Sequence, residues 1–214
     1  MTGKERREKE LLFLADDADW VEMKRARRLT QKLNTMDRTD FDGIRAVVNE
    51  LFGKSDETTF LNPPFYCDYG SNIEVGHNCF INYNCTILDN GKVTLGDNCL
   101  LAPNVSIYTA GHPLYPDARN LGYEYGIPVT IGDNVWIGGN TVICPSVKIG
   151  SNVVIGAGSV VTKDIPDWSF AAGNPCRVIR AITEEDKPYF YKKREIDAEL
   201  MAILFSEDET GNNR

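Results

Sequence analysis

Histidine is the side chain best suited to moving a proton near neutral pH, because its ordinary pKa is about 6.5. This chain of 214 residues has two histidines. His112 lies between Gly111 and Pro113, in a stretch that interrupts an otherwise regular pattern, whereas His77 lies inside that pattern and is expected to face outward. Functional sites are often built on loops that project from a rigid framework. From the residues alone, His112 is either a general base or a solvent-facing loop residue.

Three cations near the end of the chain, Lys163, Arg177 and Arg180, are of the type that binds phosphate groups, and arginine does so with two parallel N–H donors. The protein around them is acidic, with a formal net charge of −8. This charge argues against a nucleic-acid partner, which usually meets a basic patch or stripe. Without further information, the three cations could equally be surface residues paired with Asp164 or Asp167.

The six cysteines include no Cys-x-x-Cys pair, so we expect no metal site built on thiols. Cys79, Cys85 and Cys99 recur at one position of the repeat described below, and Cys67 fits the same position one repeat earlier. This position is otherwise small or β-branched. The cysteines are therefore interpreted as small buried hydrophobic residues.

The elements that position these residues follow from a repeat of six. An aliphatic residue returns at every sixth position at Ile131, Ile137, Ile143, Ile149, Ile155 and Val161. The same phase runs from Tyr69 to Ile87, and it resumes at Leu95 after two inserted residues in LDNGKVT. A helix repeats at three and four and a strand at two, so neither explains this period. It is typical of a parallel β-helix, in which three hexads, about 18 residues in total, would close one coil.

Two further hexad positions predict tight corners. The residue after the aliphatic one is often glycine, and the third residue after it is often asparagine. Both residue types adopt a positive φ more readily than others, and we expect them here for that reason. The glycines are Gly70, Gly76, Gly96, Gly132, Gly138, Gly150 and Gly156, and the asparagines are Asn72, Asn78, Asn84, Asn98, Asn104, Asn134, Asn140 and Asn152.

Helices are predicted on both sides of the coils. Residues 1–60 are expected to be an N-terminal helical segment, because residues 1–53 carry charged and apolar residues at helical spacing. Residues 61–182 are expected to form the β-helix with an inserted loop at 109–130, and residues 183–214 a C-terminal helix and a polar tail. The first residues, MTGKERREKE, are charged and lack an apolar core. No apolar run approaches the length of a membrane span. We therefore expect a cytoplasmic protein with reduced thiols, without a signal peptide or a membrane partner.

The hexads, AGHP at 110–113, GAGSVVTKDIP at 156–166 and AAGNPCRVIR at 171–180 together resemble the hexapeptide-repeat acetyltransferases, and among these the maltose and galactoside O-acetyltransferases. The resemblance extends over nearly the whole chain. It implies a mainly β fold, namely a left-handed parallel β-helix with N-terminal helices and a C-terminal helix. It also implies a homotrimer with acetyl-CoA bound between subunits, no metal, and transfer of acetyl to a hydroxyl of a sugar such as maltose, glucose or a galactoside. A non-sugar acceptor of the xenobiotic or antibiotic type is the alternative.

The resemblance also assigns the coenzyme and catalytic positions. The catalytic histidine of the family falls on His112. Gly139, where the family often has serine, matches a backbone contact near the thioester. Trp136 is interpreted as an outer-face residue that packs on the coenzyme or on the next subunit. The remaining acetyl-CoA positions of the family match Ala157, Thr162, Lys163, Arg177 and Arg180.

The acceptor positions of the family match Asp68, Asn82, Asn90, Glu124 and one acidic residue of the N-terminal helices, which is Asp16 or Asp17. Carboxylates and amides suit a polyhydroxylated sugar because they pair with its hydroxyls. Asn82 and Asn90 could equally be turn residues. Asn90 also departs from the galactoside enzymes, which carry aspartate there, and Glu124 is expected either to orient His112 or to touch the acceptor.

Two other classes compete with an acetyltransferase. Trimeric zinc carbonic anhydrases share the β-helix, but they need three histidine ligands per site, and two histidines per chain fit this poorly. A non-catalytic β-helical scaffold would have no reason to interrupt its coils with a histidine-bearing loop. The fold alone does not decide between these classes, so the decision rests on the site.

Overall fold

The structure is a computed structural model that describes residues 1–205. The polar tail predicted at the end of the chain, residues 206–214, lies outside the described residues. Helices occur at both ends and in the loop that carries His112. They are α1 (Gly3–Glu8), α2 (Asp17–Thr35), α3 (Phe41–Leu51), α4 (Pro116–Asn120) and α5 (Ala198–Phe205), with a 3-10 turn at Glu184–Asp186.

The strands are short and most of them stack in parallel. In the first half of the chain they are β1 (Phe60–Leu61), β2 (Phe65–Cys67), β3 (Ile73–Val75), β4 (Phe80–Ile81), β5 (Cys85–Leu88), β6 (Val93–Leu95), β7 (Leu100–Leu101), β8 (Ser106–Tyr108) and β9 (Ala110–Gly111). In the second half they are β10 (Tyr125–Gly126), β11 (Val129–Ile131), β12 (Trp136–Ile137), β13 (Val142–Ile143), β14 (Lys148–Ile149), β15 (Val154–Ile155), β16 (Val160–Val161), β17 (Ser169–Ala172), β18 (Arg177–Ala181), β19 (Tyr189–Tyr191) and β20 (Arg194–Glu195).

These strands form a left-handed parallel β-helix with three faces. One face has the order β1-β4-β7-β12-β15-β17-β18, the second β3-β6-β11-β14, and the third β2-β5-β8-β13-β16. The register confirms the six-residue prediction. Ile131 pairs with Ile149 and Ile137 with Ile155, one coil of three hexads apart. Val75 pairs with Leu95, because the coil between them holds the two inserted residues.

The aliphatic side chains of the hexads point into the interior of this three-faced prism and form its core, because successive residues of a strand face opposite ways. Burying each such side chain contributes about 1.5–3 kcal/mol. Cys79, Cys85 and Cys99 are buried in this core, as predicted, while Cys67 is only half-buried. All six cysteines are free thiols.

The corners confirm the prediction for asparagine and correct the one for glycine. Seven of the predicted asparagines have φ between 55° and 61°, and the exception, Asn72, instead donates its side-chain amide to the carbonyl of Asp89. Of the predicted glycines, Gly70 alone has a positive φ. A Cβ on Gly96 would lie 2.8 Å from the carbonyl carbon of Gly132 in the next coil. The other glycines are therefore required by the close approach of stacked coils.

The N-terminal helices cover the first coils. Helix α2 begins at the N-cap Asp16, whose side chain accepts from the backbone of Ala18 and Asp19. The buried residues of α2 and α3 recur at spacings of three and four, so each helix turns one apolar stripe to the core. These residues include Ala26, Leu29, Leu33, Ile44, Val47, Val48 and Leu51.

The C-terminal segment differs from the single helix predicted from residue 183. Up to residue 205, the chain makes the 3-10 turn, then the antiparallel pair β19–β20, and then helix α5. Pro188 lacks the N–H that a helix interior needs, and the aromatic run from Tyr189 to Tyr191 favours a strand. Within residues 183–205, helix is therefore confined to the 3-10 turn and to α5. Over residues 1–205, no helix is long and apolar enough to cross a membrane.

Candidate active site

The loop that interrupts the coils presents His112. Its base is closed by β9 and β10, which pair antiparallel, so His112 follows directly from a fixed strand. His112 is exposed, and its Nδ1 lies 3.1 Å from the carbonyl oxygen of Tyr123. A carbonyl only accepts, so this contact assigns the proton to Nδ1. The other ring nitrogen, Nε2, is left as a proton acceptor on the exposed side of the loop.

Glu124 follows on the same loop and is held by Asn90. The Nδ2 of Asn90 donates to Oε2 of Glu124 at 3.0 Å, and Asn90 is buried. Burial raises the pKa of Glu124, and a positive charge on a protonated His112 would oppose this shift. An aspartate at position 90 would set two like charges against each other. The asparagine therefore fits the glutamate of this chain, since an amide donates where a carboxylate repels.

Asp89 organises the coil beneath these residues, although the hexad pattern did not predict it. It is fully buried and accepts backbone N–H groups from Asp68 at 3.0 Å, Tyr69 at 2.9 Å and Asn72 at 3.3 Å. Burial raises the pKa of Asp89 to about 6, and the charge of Asp68 adds to the shift. Burial also raises the pKa of Asp68. The one signal in the sequence was the two-residue insertion, which begins beside Asp89.

The segment from residue 3 to residue 16, called the N-terminal arm below, contacts the site through Phe13. The backbone N–H of Phe13 donates to the carbonyl of Glu124 at 2.9 Å, and Glu124 N–H returns a bond of 3.1 Å. Asp16, a few residues on, is half-buried, while Asp17 is exposed. The Asp16 carboxylate accepts from Gly3 as well as from the first turn of α2, and these bonds lower its pKa. Asp16 is thus committed to fixing the arm beside the loop.

Arg7 also stabilises the N-terminal arm. The sequence did not predict this role, because Arg7 belongs to no recognisable motif. Its Nη1 lies 2.7 Å from Oδ1 of Asp19, and both side chains are nearly buried. Its guanidinium also lies 4.4 Å from the ring centre of Tyr69. Removing one partner of such a buried pair costs about 3–5 kcal/mol, because the other charge stays buried. The arm is therefore a fixed wall of the site.

A cleft of about 380 Å³ opens between this arm and the coils. Its walls include Arg7, Asn90 and the ion pair of Lys92 with Glu74, whose charged atoms are 2.8 Å apart. His112 is not among its lining residues. The cleft therefore adjoins the candidate site at Asn90 rather than containing it.

Three of the positions assigned to the coenzyme, Trp136, Arg177 and Arg180, lie on strands of one face. Trp136 pairs with Val154, Val154 with Phe170, and Phe170 with Arg180, so these side chains share one outward row. Three strand steps separate Trp136 from Arg180, or about 14 Å. Gly139 accepts at its carbonyl from Gly158 N–H at 2.8 Å, which places it against the turn that carries Ala157. Thr162, Lys163 and Arg177 are exposed near the same end of the prism.

The cations do not pair as the alternative interpretation expected. The carboxylate of Asp164 accepts from Lys148 N–H, and that of Asp167 from Ser151 N–H, each at 2.8 Å. Arg180 forms an ion pair with Asp186 at 2.7 Å. Within residues 1–205, Lys163 and Arg177 form no ion pair. Both therefore stand as exposed, unpaired cations in this part of the chain.

One chain brings only part of the predicted site together. The arm with Asp16, the turn at Asp68, Asn90, Glu124 and His112 form one connected region. Asn82 lies apart, after β4, where its Oδ1 accepts from Tyr83 N–H. Neither Asn82 nor Asn90 has a positive φ, so neither is a left-handed turn residue. Among the described hydrogen bonds and ion pairs, none joins His112 to the coenzyme positions.

His77 behaves as the sequence predicted for a coil residue. Its ring is exposed and its Nδ1 lies 2.9 Å from Oδ2 of Asp56 and 3.2 Å from Oγ1 of Thr58. These contacts tie the segment before β1 to a coil corner. With His77 engaged at this corner, His112 remains the candidate for the general base.

Comparison with known proteins shows the family of this chain. The family described as bacterial transferase hexapeptide (six repeats) matches residues 128–163, and the hexapeptide repeat of succinyl-transferase matches residues 72–109. The galactoside O-acetyltransferase of Escherichia coli is 45% identical over 82% of this chain and 87% of its own. The chain belongs to the hexapeptide-repeat acetyltransferases.

Two solved structures of this acetyltransferase family have a similar three-dimensional fold. A galactoside acetyltransferase in complex with coenzyme A superposes with a TM-score of 0.90, at 42% identity over 92% of this chain and 100% of that one. A maltose O-acetyltransferase from Clostridium difficile gives a TM-score of 0.84, at 48% identity over 86% and 99%. Residues 1–205 hold no cluster of three or more His, Cys, Asp or Glu that could bind a metal ion.

Proposed function

We propose that this acetyltransferase moves the acetyl group of acetyl-CoA to a hydroxyl of a sugar. The observation that carries the proposal is the orientation of His112. Its Nδ1 is engaged by the carbonyl of Tyr123, so Nε2 is free to accept a proton at the exposed edge of the loop. The relatives named as galactoside and maltose O-acetyltransferases support the sugar hydroxyl as acceptor.

The chemistry follows from that orientation. Acetyl-CoA supplies the acetyl group as a thioester. His112 takes the hydroxyl proton at Nε2 while the hydroxyl oxygen bonds to the thioester carbon. The carbon–sulfur bond then breaks, and the proton passes from His112 to the departing sulfur, so that an acetyl ester and a free thiol result. His112 ends neutral, ready for a second cycle.

Charge that develops on the carbonyl oxygen needs a fixed donor. The backbone N–H of Gly139 donates to no acceptor within residues 1–205, unlike its neighbours Gly138 and Asn140, whose N–H groups bond to Ile155 and Pro103. Gly139 keeps this N–H although it lacks the hydroxyl that the family often has here. It is therefore the donor that we assign to the oxyanion.

The acceptor is assigned to the region around Glu124. Asp68, Asn90 and Glu124 offer carboxylate and amide groups beside His112, and Asp16 lies on the adjoining arm. Burial raises the pKa of both Asp68 and Glu124. Such half-buried groups gain from pairing with hydroxyls, because their hydrogen bonds are shielded from water.

A homotrimer is part of the proposal, because the coenzyme positions and His112 are not joined within one chain. The outward row that includes Trp136 and Arg180 is apolar along most of its length. The corresponding row on the second face is polar and consists of Glu74, Thr94, Thr130 and Lys148. The apolar row consists of Phe60, Phe80, Leu100, Trp136, Val154 and Phe170. An apolar row of this length, with Leu100 and Trp136 exposed and the other members half-buried, favours contact with another subunit.

A neighbouring subunit on this row would bring the coenzyme positions of one chain, together with Asn82, to the His112 of another. Light scattering should give three chains per particle. A particle of one chain that still consumes acetyl-CoA would contradict the assembly. A reducing, cytoplasmic compartment is also proposed, in keeping with the six free thiols.

The experiment that tests the function follows thiol release from acetyl-CoA with a panel of acceptors. Glucose, maltose and a galactoside represent sugars, and hydroxyl-bearing antibiotics represent the alternative. Sugar-dependent thiol release is expected in the wild type. Release with an antibiotic alone would favour the non-sugar alternative, and no release with any acceptor would refute the proposal.

His112→Ala should lower kcat by about 10²–10⁴-fold, the usual contribution of a positioned base. The KM for acetyl-CoA should change little, since His112 takes part in proton transfer rather than in coenzyme binding. His77→Ala is the matched control and should keep its activity. A dead His77→Ala with an active His112→Ala would overturn the catalytic assignment.

A further inference from the structure

Arg180 is held by a carboxylate from beyond the coils. Its Nη2 donates to Oδ1 of Asp186 at 2.7 Å, and its Nη1 donates to Oδ2 at 2.8 Å. Nη1 also donates to the carbonyl of Ala181 at 2.8 Å. The guanidinium carbon lies 5.9 Å from the ring centre of Phe170, its partner across β17–β18. The guanidinium is thus fixed along one edge and supported on one face.

Asp186 is itself anchored, which distinguishes this pair from an ordinary surface ion pair. Its Oδ2 accepts from the backbone N–H of Thr183 at 2.9 Å, and it ends the 3-10 turn at Glu184–Asp186. The bond from Arg180 and then the bond from Thr183 N–H lower the pKa of Asp186, and the bond to Asp186 raises the pKa of Arg180. Exposed ion pairs contribute little to stability. Stability is therefore a weak explanation for such a well-ordered pair.

The contact leaves a second binding edge of Arg180 open. The end of the guanidinium, Nη1 and Nη2, faces Asp186. The side edge, formed by Nε–H and the second hydrogen of Nη2, has no acceptor within residues 1–205. This side edge has the spacing of two parallel N–H donors that matches a phosphate. A phosphate on that edge and Asp186 on the other do not compete for the same hydrogens.

We propose that Asp186 is a positioning residue for coenzyme binding, which holds Arg180 so that its free edge meets a phosphate of acetyl-CoA. This inference rests on the proposed function, in which Arg180 binds the coenzyme. Ordering a long side chain on binding weakens affinity, and a side chain already ordered avoids that loss. Asp186 thus acts through Arg180 and need not touch the coenzyme.

The test compares Asp186→Asn with Glu185→Gln. Both remove one negative charge from the same turn, but Glu185 has no contact with Arg180 among the described hydrogen bonds and ion pairs. Asp186→Asn should raise the KM for acetyl-CoA and the Kd for free CoA by about 2- to 10-fold, with kcat and the acceptor KM unchanged. Glu185→Gln should change none of them. A lower KM in Asp186→Asn would overturn the inference, because it would mean that the carboxylate competes with the phosphate.

The same variants are also measured in an Arg180→Ala background. These measurements distinguish a failure of the role of Asp186 from a failure of coenzyme binding by Arg180. If Arg180 binds the coenzyme, Arg180→Ala raises the Kd for CoA, and adding Asp186→Asn has no further effect. An unchanged Kd in Arg180→Ala would refute the coenzyme role of Arg180 itself. A Kd that rises in Arg180→Ala and then rises again by the full factor with Asp186→Asn would show that Asp186 acts independently, against the inference. Melting temperatures of all variants should stay near the wild-type value.

Discussion

The buried carboxylate of Asp89 gives the sharpest prediction on stability. Burial raises its pKa to about 6, from an ordinary value of 3.8, despite three backbone N–H bonds. The folded protein therefore binds this proton more tightly than the unfolded chain does. Stability should fall as the pH rises from about 4 to about 6, by about 3 kcal/mol, because each pKa unit corresponds to about 1.4 kcal/mol.

Asp89→Asn is the variant that isolates this effect. The amide keeps an oxygen for the N–H groups of Asp68 and Tyr69, but it does not ionise. Urea unfolding of both proteins at several pH values between 4.5 and 7.5, at one fixed subunit concentration, would follow the difference in unfolding free energy. The wild type should lose stability relative to Asp89→Asn as the pH rises. Parallel profiles would refute the reasoning, since they would mean that the N–H groups stabilise the carboxylate as much as burial destabilises it.

Asp89→Ala serves as the comparison that removes the acceptor altogether. It leaves the N–H groups of Asp68, Tyr69 and Asn72 without a partner, at about 1–3 kcal/mol for each fully buried group. Only Tyr69 is fully buried, so Asp89→Ala should be less stable than Asp89→Asn by about 1–3 kcal/mol, with a smaller addition from the half-buried Asp68. The acceptor KM should also rise, because the turn at Asp68 would no longer be fixed.

Two further predictions concern the coils. Ile149→Asp places a carboxylate in the core without a partner and should lower the free energy of unfolding by about 4 kcal/mol or more. The control, Thr130→Asp, lies on the outward row and should be tolerated. Equal melting temperatures of the two variants would contradict the hexad core. His77→Gln should lower the melting temperature more at about pH 5.5 than at about pH 9. The bond to Asp56 raises the folded pKa of His77, so its contribution is complete below histidine's ordinary value and is lost as the pH rises through the folded one. A difference that is the same at both pH values would argue against this ion pair.

Much of the fold could be predicted because the period of six is local. A hexad needs one inward aliphatic residue and one corner that a left-handed asparagine can make, and both are visible in a short window. The register followed as well, since Ile131 and Ile149 pair wherever no residue is inserted. The reason for the glycines was wrong because the neighbour that excludes a Cβ at Gly96 lies in another coil, at Gly132.

The candidate site was predictable only in part. His112 was marked by the break in the repeat and by the resemblance that its motif carries. Arg7 and Asp89 were not, because each acts through partners distant in sequence: Tyr69 and Asp19 for Arg7, and the turn after Asp68 for Asp89. Nothing in the hexad pattern distinguishes a buried charge with such partners from a solvated one.

The sequence by itself determined the coil, its core, the loop that interrupts the repeat and the histidine on that loop, because each of these depends on residues near one another in the chain. Only the tertiary structure decided which polar groups meet. It set Asn90 against Glu124, directed Nδ1 of His112 to a backbone carbonyl, and paired Arg180 with Asp186 rather than with Asp164 or Asp167. The physical reason is that a charge or a hydrogen bond acts over a few ångströms of space, whatever the number of residues between its partners.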